Sequence, residues 1–193
     1  MNSRPKSLIY FLIIGAIIML SSCGPRCTQD LVENAMKEWY KKPLVYNDSL
    51  PLMLPNTEEP VDTVMDWFPD PNGFYIIRQV DAGCSKCIDQ MEMAQSFLKK
   101  HADIDNLHFI LVIDAAIPDV AQDALDKLQI DFPVFFQQNH EQMRQANGLA
   151  INDDLFKNIL VNGQGEILLF GDPLLNELTE ELFLSIAMGE CGI

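Results

Sequence analysis

Basic residues are scarce in this chain. It carries 13 Lys and Arg against 28 Asp and Glu, a formal net charge of −15. Such a surface repels phosphate backbones and anionic headgroups, so no nucleic-acid partner is expected. Long apolar runs are lacking as well. The one marked run, "LIYFLIIGAIIML" from Leu8 to Leu20, is too short to cross a bilayer as a helix, which takes about 20 residues. Internal repeats and low-complexity tracts are missing. The 48% of hydrophobic residues and 9% of aromatics suffice for the core of one domain.

Arg4 and Lys6 precede that apolar run, which has the proportions of a signal-peptide core. It ends in "LSSC", Leu20 to Cys23. Small residues closing on a cysteine resemble the lipobox of bacterial lipoproteins. That resemblance implies removal of residues 1–22 and lipidation of Cys23 as the first mature residue. The protein would then lie outside the cytoplasm, tethered to a bacterial membrane on its periplasmic side or at the cell surface, since two or more acyl chains anchor stably. The mature chain would keep 171 of the 193 residues, with 11 basic against 28 acidic side chains.

Residues 23–72 read as a lead-in. "LVENAMKEWYKK" predicts an amphipathic helix with Leu31, Val32, Ala35, Met36 and Trp39 on one side, and "PLVY" an edge strand. The stretch 47–72, rich in Pro, Asp and Glu, reads as loop. Trp39 and Trp67 are expected to be packing residues. From Gly73 to the C-terminus a single α/β domain, 73–193, is expected. "FYIIRQV" (74–80) reads as a buried strand, 87–100 as a helix, and "LHFILVI" (107–113) as a central parallel strand. Pro118 opens a second helix. "FPVFF" (132–136) follows as a strand and "EQMRQAN" (141–147) as a short helix ended by Gly148. "NILVNGQGEILLF" (158–170) reads as a hairpin around Asn162-Gly163, and 176–188 as a closing helix stopped by Gly189.

Cys84 and Cys87 lie three apart in "VDAGCSKCIDQ", at the first strand–helix junction. A Cys-x-x-Cys pair at that junction, in this element order, resembles the thioredoxin-like superfamily. The helix plus "FPVFF" and the segment "NILVNGQGEILLFGDP" look most like the αβ insert and hairpin of its membrane-tethered TlpA/ResA branch. The resemblance covers about residues 73 to 190. It implies a central mixed sheet flanked by helices, and a thiol–disulfide oxidoreductase with Cys84 as nucleophile and Cys87 as resolving thiol. It implies protein thiols or disulfides as partners, with reduction as the expected sense, a membrane electron donor as a candidate partner, and no cofactor. Helix-start N–H groups favour a thiolate at Cys84, and Lys86 adds positive charge, while Asp81 and Asp89 oppose it.

Several positions depart from the family pattern. Gly83 and Glu92 stand where a tryptophan and a helix proline are common. Arg78 occupies the place of a buried carboxylate that moves protons for the resolving thiol; a guanidinium would stabilise a thiolate but cannot act as a base. Phe156 falls where the family's cis-proline precedes the hairpin, so a trans 155–156 bond and an aromatic ring near the cysteines are expected. Pro133 reads as a trans proline opening the insert strand.

These departures support an alternative, a non-enzymatic lipoprotein that uses the scaffold to bind protein partners. A peroxidase lacks its proline-threonine-x-x-cysteine motif. A metal site would need ligands beyond two thiolates, and His101, His108, His140, Cys27 and Cys191 are not spaced to supply them, so none is assigned. Cys27 and Cys191 could pair outside the cytoplasm, though free thiols are the preferred reading.

Overall fold

The computed structural model describes residues 27–46, 50, 52–53, 67–81, 85–114, 118–128, 130, 132–137, 142–149 and 154–193. The expected signal peptide and Cys23 lie outside them. Along the described chain the helices are α1 (Gln29–Ala35), α2 (Ser85–Lys100), α3 (Pro118–Leu128), α4 (Gln142–Ala146) and α5 (Glu177–Ala187). The strands are β1 (Leu52–Met53), β2 (Phe74–Asp81), β3 (Leu107–Asp114), β4 (Val134–Gln137), β5 (Asn158–Asn162) and β6 (Ile167–Phe170). They form one sheet in the order β1-β4-β3-β2-β5-β6.

The centre of the sheet follows from two apolar runs. β2 and β3 are parallel, from Phe74 opposite Leu107 to Asp81 opposite Asp114. Both are buried along nearly their whole length, as strands covered on both faces must be. β4 continues the parallel set beside β3, while β5 returns antiparallel to β2. The β2-to-β3 and β3-to-β4 crossovers step the same way across the sheet. Right-handed connection therefore puts α2 and α3 on one face, where they touch. The α2 stripe of Met91, Ala94 and Phe97 is buried. α5 joins that face: the Lys100 ammonium donates to Glu180 at 2.6 Å, and the Asn106 amide donates to the Ala187 carbonyl at 3.0 Å. Asn176 caps α5 by accepting from the Thr179 N–H, and Gly189 ends it with φ +75°.

The opposite face is covered by α4 and the lead-in. Trp67 lies flat on Phe135, ring centroids 4.5 Å apart, and is 2% exposed. Trp39 packs on Phe170 and Phe156. Both tryptophans are packing residues, as expected.

Three expectations are corrected. The lead-in helix spans only Gln29–Ala35, capped by Thr28, and breaks into turns ending at Lys41 with φ +56°. Val32 and Met36 are buried, but Leu31 is 45% exposed, because the helix stops before a second full turn can align the stripe. "PLVY" makes an isolated bridge, Pro43 with Glu166, since Pro43 has no N–H to extend a ladder. The edge strand is instead Leu52–Met53 on β4.

The expected hairpin forms, with Asn162 and Gly163 at its turn. β5 stops at Asn162 and β6 resumes at Ile167; the Asn162 side-chain oxygen accepts from the N–H groups of Gln164 and Glu166. Gly163 sits there because a Cβ would strike the backbone of Asp70 and Pro71.

Cys27 and Cys191 are disulfide-bonded, with Cα atoms 4.8 Å apart and 164 residues between them in sequence. This corrects the preference for free thiols. The first described residue of the lead-in is tied to the tail beyond α5.

Candidate active site

The junction that carries Cys84 and Cys87 is built by β2 and α2. β2 ends at Asp81 and α2 begins at Ser85, so Cys84 immediately precedes the helix and Cys87 is its third residue. Cys84 itself, and the side chains of Lys86 and Cys87, lie outside the described residues. The helix start supplies unpaired N–H groups and the positive end of a dipole over 16 residues. Both Lys99 and Lys100 sit at its other end, consistent with that dipole.

Arg78 is fully buried in β2. Its Nη1 donates to the Asn158 side-chain oxygen at 2.7 Å and to Oδ1 of Asp172 at 3.3 Å. Asp172 lies just before α5, so Arg78 points to the helical face that carries α2 and α5. Its Nε and Nη2 have no hydrogen-bond partner among the described residues. A buried cation with one partly exposed carboxylate beside it retains attraction for a further anion.

Phe156 sits in a 3-10 turn, Asp154–Lys157, directly before β5. Its ring packs 5.7 Å from Trp39 and 4.9 Å, edge on, from Phe170, and the residue is 8% exposed. No cis peptide occurs among the described residues, so the 155–156 and 132–133 bonds are trans, as expected for Phe156 and Pro133. The described contacts of the Phe156 ring are with the lead-in and β6, which leaves it little surface to offer a partner.

A polar cluster lies at the same sheet edge. Asp81 and Asp114 end β2 and β3 as register partners, and Gln137 ends β4 opposite Asp114. On α4, Arg144 is 8% exposed and its Nε donates to the Gln79 side-chain oxygen at 3.0 Å. Burial, and then the neighbouring Asp81, push the Asp114 pKa up to about 7, against the pull of Arg144 and a hydrogen bond from Gln137. The sequence reading missed Asp114 and Arg144. A signal was available: Asp81 and Asp114 each close an apolar run, so parallel pairing sets two carboxyls side by side.

No protein-family model and no curated protein matches the sequence. Solved structures do match, at fold level. A thiol-disulfide oxidoreductase from Bacteroides fragilis NCTC 9343 superposes with a TM-score of 0.53 at 15% identity, covering 73% of this chain and 99% of that one. A provisionally assigned thiol:disulfide interchange protein DsbE from Chlorobium tepidum gives 0.51 at 17% identity, covering 75% and 99%. The fold is thioredoxin-like: a mixed sheet flanked by helices, with an αβ insert.

Proposed function

We propose that this protein is an extracytoplasmic thiol–disulfide oxidoreductase, anchored by lipid on Cys23, that reduces protein disulfides through Cys84 and Cys87. The observation that supports the reading is the start of α2 at Ser85, the residue after Cys84 in sequence, following a β2 strand that runs parallel to β3. The structural neighbours support this redox class. The Cys27–Cys191 disulfide supports an oxidising compartment.

In the reducing direction the Cys84 thiolate attacks one sulfur of a substrate disulfide. The substrate S–S bond breaks, and the departing sulfur leaves with the bonding pair and takes a proton. The Cys87 thiolate then attacks the Cys84 sulfur and releases the second substrate thiol. Two electrons have passed to the substrate, and the pair is left oxidised. Its return to the dithiol needs two electrons and two protons from a thiol or a membrane electron donor. Arg78 and Lys86 favour the thiolate forms, while Phe156 replaces a backbone position that would otherwise pair with an extended substrate.

The test is disulfide reduction by the full chain and its variants. Cys84→Ser should abolish it, and Cys87→Ser should accumulate a mixed disulfide with substrate. Undiminished reduction by Cys84→Ser would overturn the assignment. A second reading, a non-enzymatic scaffold for protein partners, is favoured by the departures from the family pattern at Gly83, Arg78 and Phe156. A Cys84–Cys87 pair that resists thiol reduction in the folded protein would select it.

A further inference from the structure

The parallel pair β2 and β3 gives the sheet two distinct ends. Asp81 ends β2 three residues before Cys84, so the carboxyl edge is the cysteine edge. Phe74 and Leu107 begin the two strands as register partners and mark the amino edge. β5 runs antiparallel to β2, and β6 antiparallel to β5, so β6 ends with Phe170 at the cysteine edge. From there α5 runs back. Its last residue, Ala187, lies at the amino edge, where its carbonyl accepts at 3.0 Å from the side chain of Asn106, the residue before β3. The Glu190 N–H then donates to the Ser185 carbonyl at 2.9 Å and folds the tail onto that last turn. Cys191 is therefore fixed at the amino edge, and its bond to Cys27 fixes the lead-in there as well. The lead-in climbs from that point, since Trp39 reaches Phe156 and Phe170 at the cysteine edge.

Cys23 stands four residues before Cys27. Four residues span at most about 14 Å. The eight residues of β2 alone extend over about 26 Å. Acyl chains on Cys23 thus keep the amino edge close to the bilayer, and a pose with the cysteine edge beneath the domain would overstretch the leash. The surface around the disulfide suits contact with lipid. Leu31, in the first turn of α1, and Met188, just past α5, are 45% and 52% exposed. Each lies within four residues of a bonded cysteine. Asp30 and Glu190 beside them are exposed acids, which suit zwitterionic headgroups better than anionic ones. We infer that the amino edge is a membrane-contact surface, with Leu31 and Met188 against the headgroups of a zwitterionic leaflet, and that the Cys27–Cys191 disulfide thereby turns the β2–α2 junction away from the bilayer. The inference rests on the proposed anchor at Cys23 and not on the redox chemistry. In this pose the cysteine pair meets disulfides of soluble proteins, or of domains that stand clear of the membrane. A membrane electron donor must carry its own thiols out by a comparable distance.

The experiment uses the wild-type chain as extracted from its membrane, returned to phosphatidylcholine vesicles that contain a lipid with a photoreactive headgroup. After irradiation, mass spectrometry maps the tagged peptides. Tags should fall on the segments around Leu31 and Met188, at about tenfold or more the yield at Leu175, Leu178 and the β2–α2 junction, because effective concentration collapses where a tether cannot span the distance. Leu31→Glu combined with Met188→Glu should leave the protein on the vesicles and lower that ratio severalfold, since both side chains are exposed and the acyl chains remain. Equal tagging of the two edges, or preferential tagging of the cysteine edge, would overturn the inference and leave the anchor standing. Tags at neither edge, together with a dimer in detergent, would give the patch to a second copy of the chain and overturn it as well. A chain without acyl groups that leaves the vesicles on sedimentation would overturn the anchor and the inference together. Loss of disulfide reduction in Cys84→Ser, or its persistence, bears on the redox reading alone.

Discussion

Nη1 of Arg78 lies 3.3 Å from Oδ1 of Asp172, joining the middle of β2 to the residue pair that leads into α5. The two side chains are unequal: Arg78 is wholly buried, whereas Asp172 retains 19% of its surface. Breaking a buried pair costs about 3–5 kcal/mol when the survivor is left as an uncompensated buried charge. Asp172→Ala leaves the guanidinium in that state and should destabilise by about 3 kcal/mol. Arg78→Met leaves a carboxylate that reaches water, so it should cost less. Urea denaturation of the two variants checks the order. In the Arg78→Met protein the alkylation pKa of the more reactive thiol should rise, because a cation that favours the thiolate is gone.

The disulfide between Cys27 and Cys191 closes nearly the whole described chain into one loop. Constraining so long a loop in the unfolded state stabilises by about 2–5 kcal/mol. Cys27→Ser and Cys191→Ser should therefore lower the denaturation midpoint by the same amount, and the double variant by no more than either single. Non-reducing peptide mapping should recover the Cys27–Cys191 cross-link. Disulfide reduction through Cys84 should survive in all three variants, because the cross-link lies away from the β2–α2 junction.

The parts of the fold that were legible are those where burial on both sides writes a continuous apolar run. "FYIIRQV" and "LHFILVI" gave β2 and β3 to within one residue, and Pro118 marked the start of α3. The lead-in was not legible, because its contacts are long-range: Val32 and Met36 join a core made by distant strands, and the two-residue β1 exists only through pairing with β4. Nothing local in sequence links Cys27 to Cys191. The cysteine pair announced itself through spacing, but Asp114 did not. An acidic residue ending an apolar run reads as a strand boundary until the parallel register sets Asp81 and Gln137 beside it.

The proposed anchor makes a prediction independent of the redox chemistry. Membrane-extracted protein should begin at Cys23 and carry a mass increment of acyl chains. Cys23→Ser should leave residues 1–22 attached or shift the protein out of the membrane fraction. An unacylated mature N-terminus at another position would refute the anchor.

Two carboxyls give opposite slopes to stability against pH. The pKa of Glu180 is lowered from its usual 4.5, first by its hydrogen bond from Lys100 and further by His101. A carboxylate depressed in the folded state binds fewer protons there than in the unfolded chain. Its contribution is complete above about 4.5 and is lost as pH falls through the folded value. Asp114 acts in reverse. Its pKa is raised from 3.8 to about 7 by burial and by Asp81, so between those values the folded state holds the extra proton. Stability should fall as pH rises from about 4 to about 7 and level off above. Urea midpoints measured from pH 3 to 8 should thus rise from the acid side and then decline. Asp114→Asn should flatten the decline between pH 4 and 7 and leave the acid limb intact. Glu180→Gln should flatten the acid limb and leave the decline. A wild-type midpoint that climbs steadily from pH 4 to 8 would show that Asp114 is ionised throughout, and that Arg144 outweighs its burial.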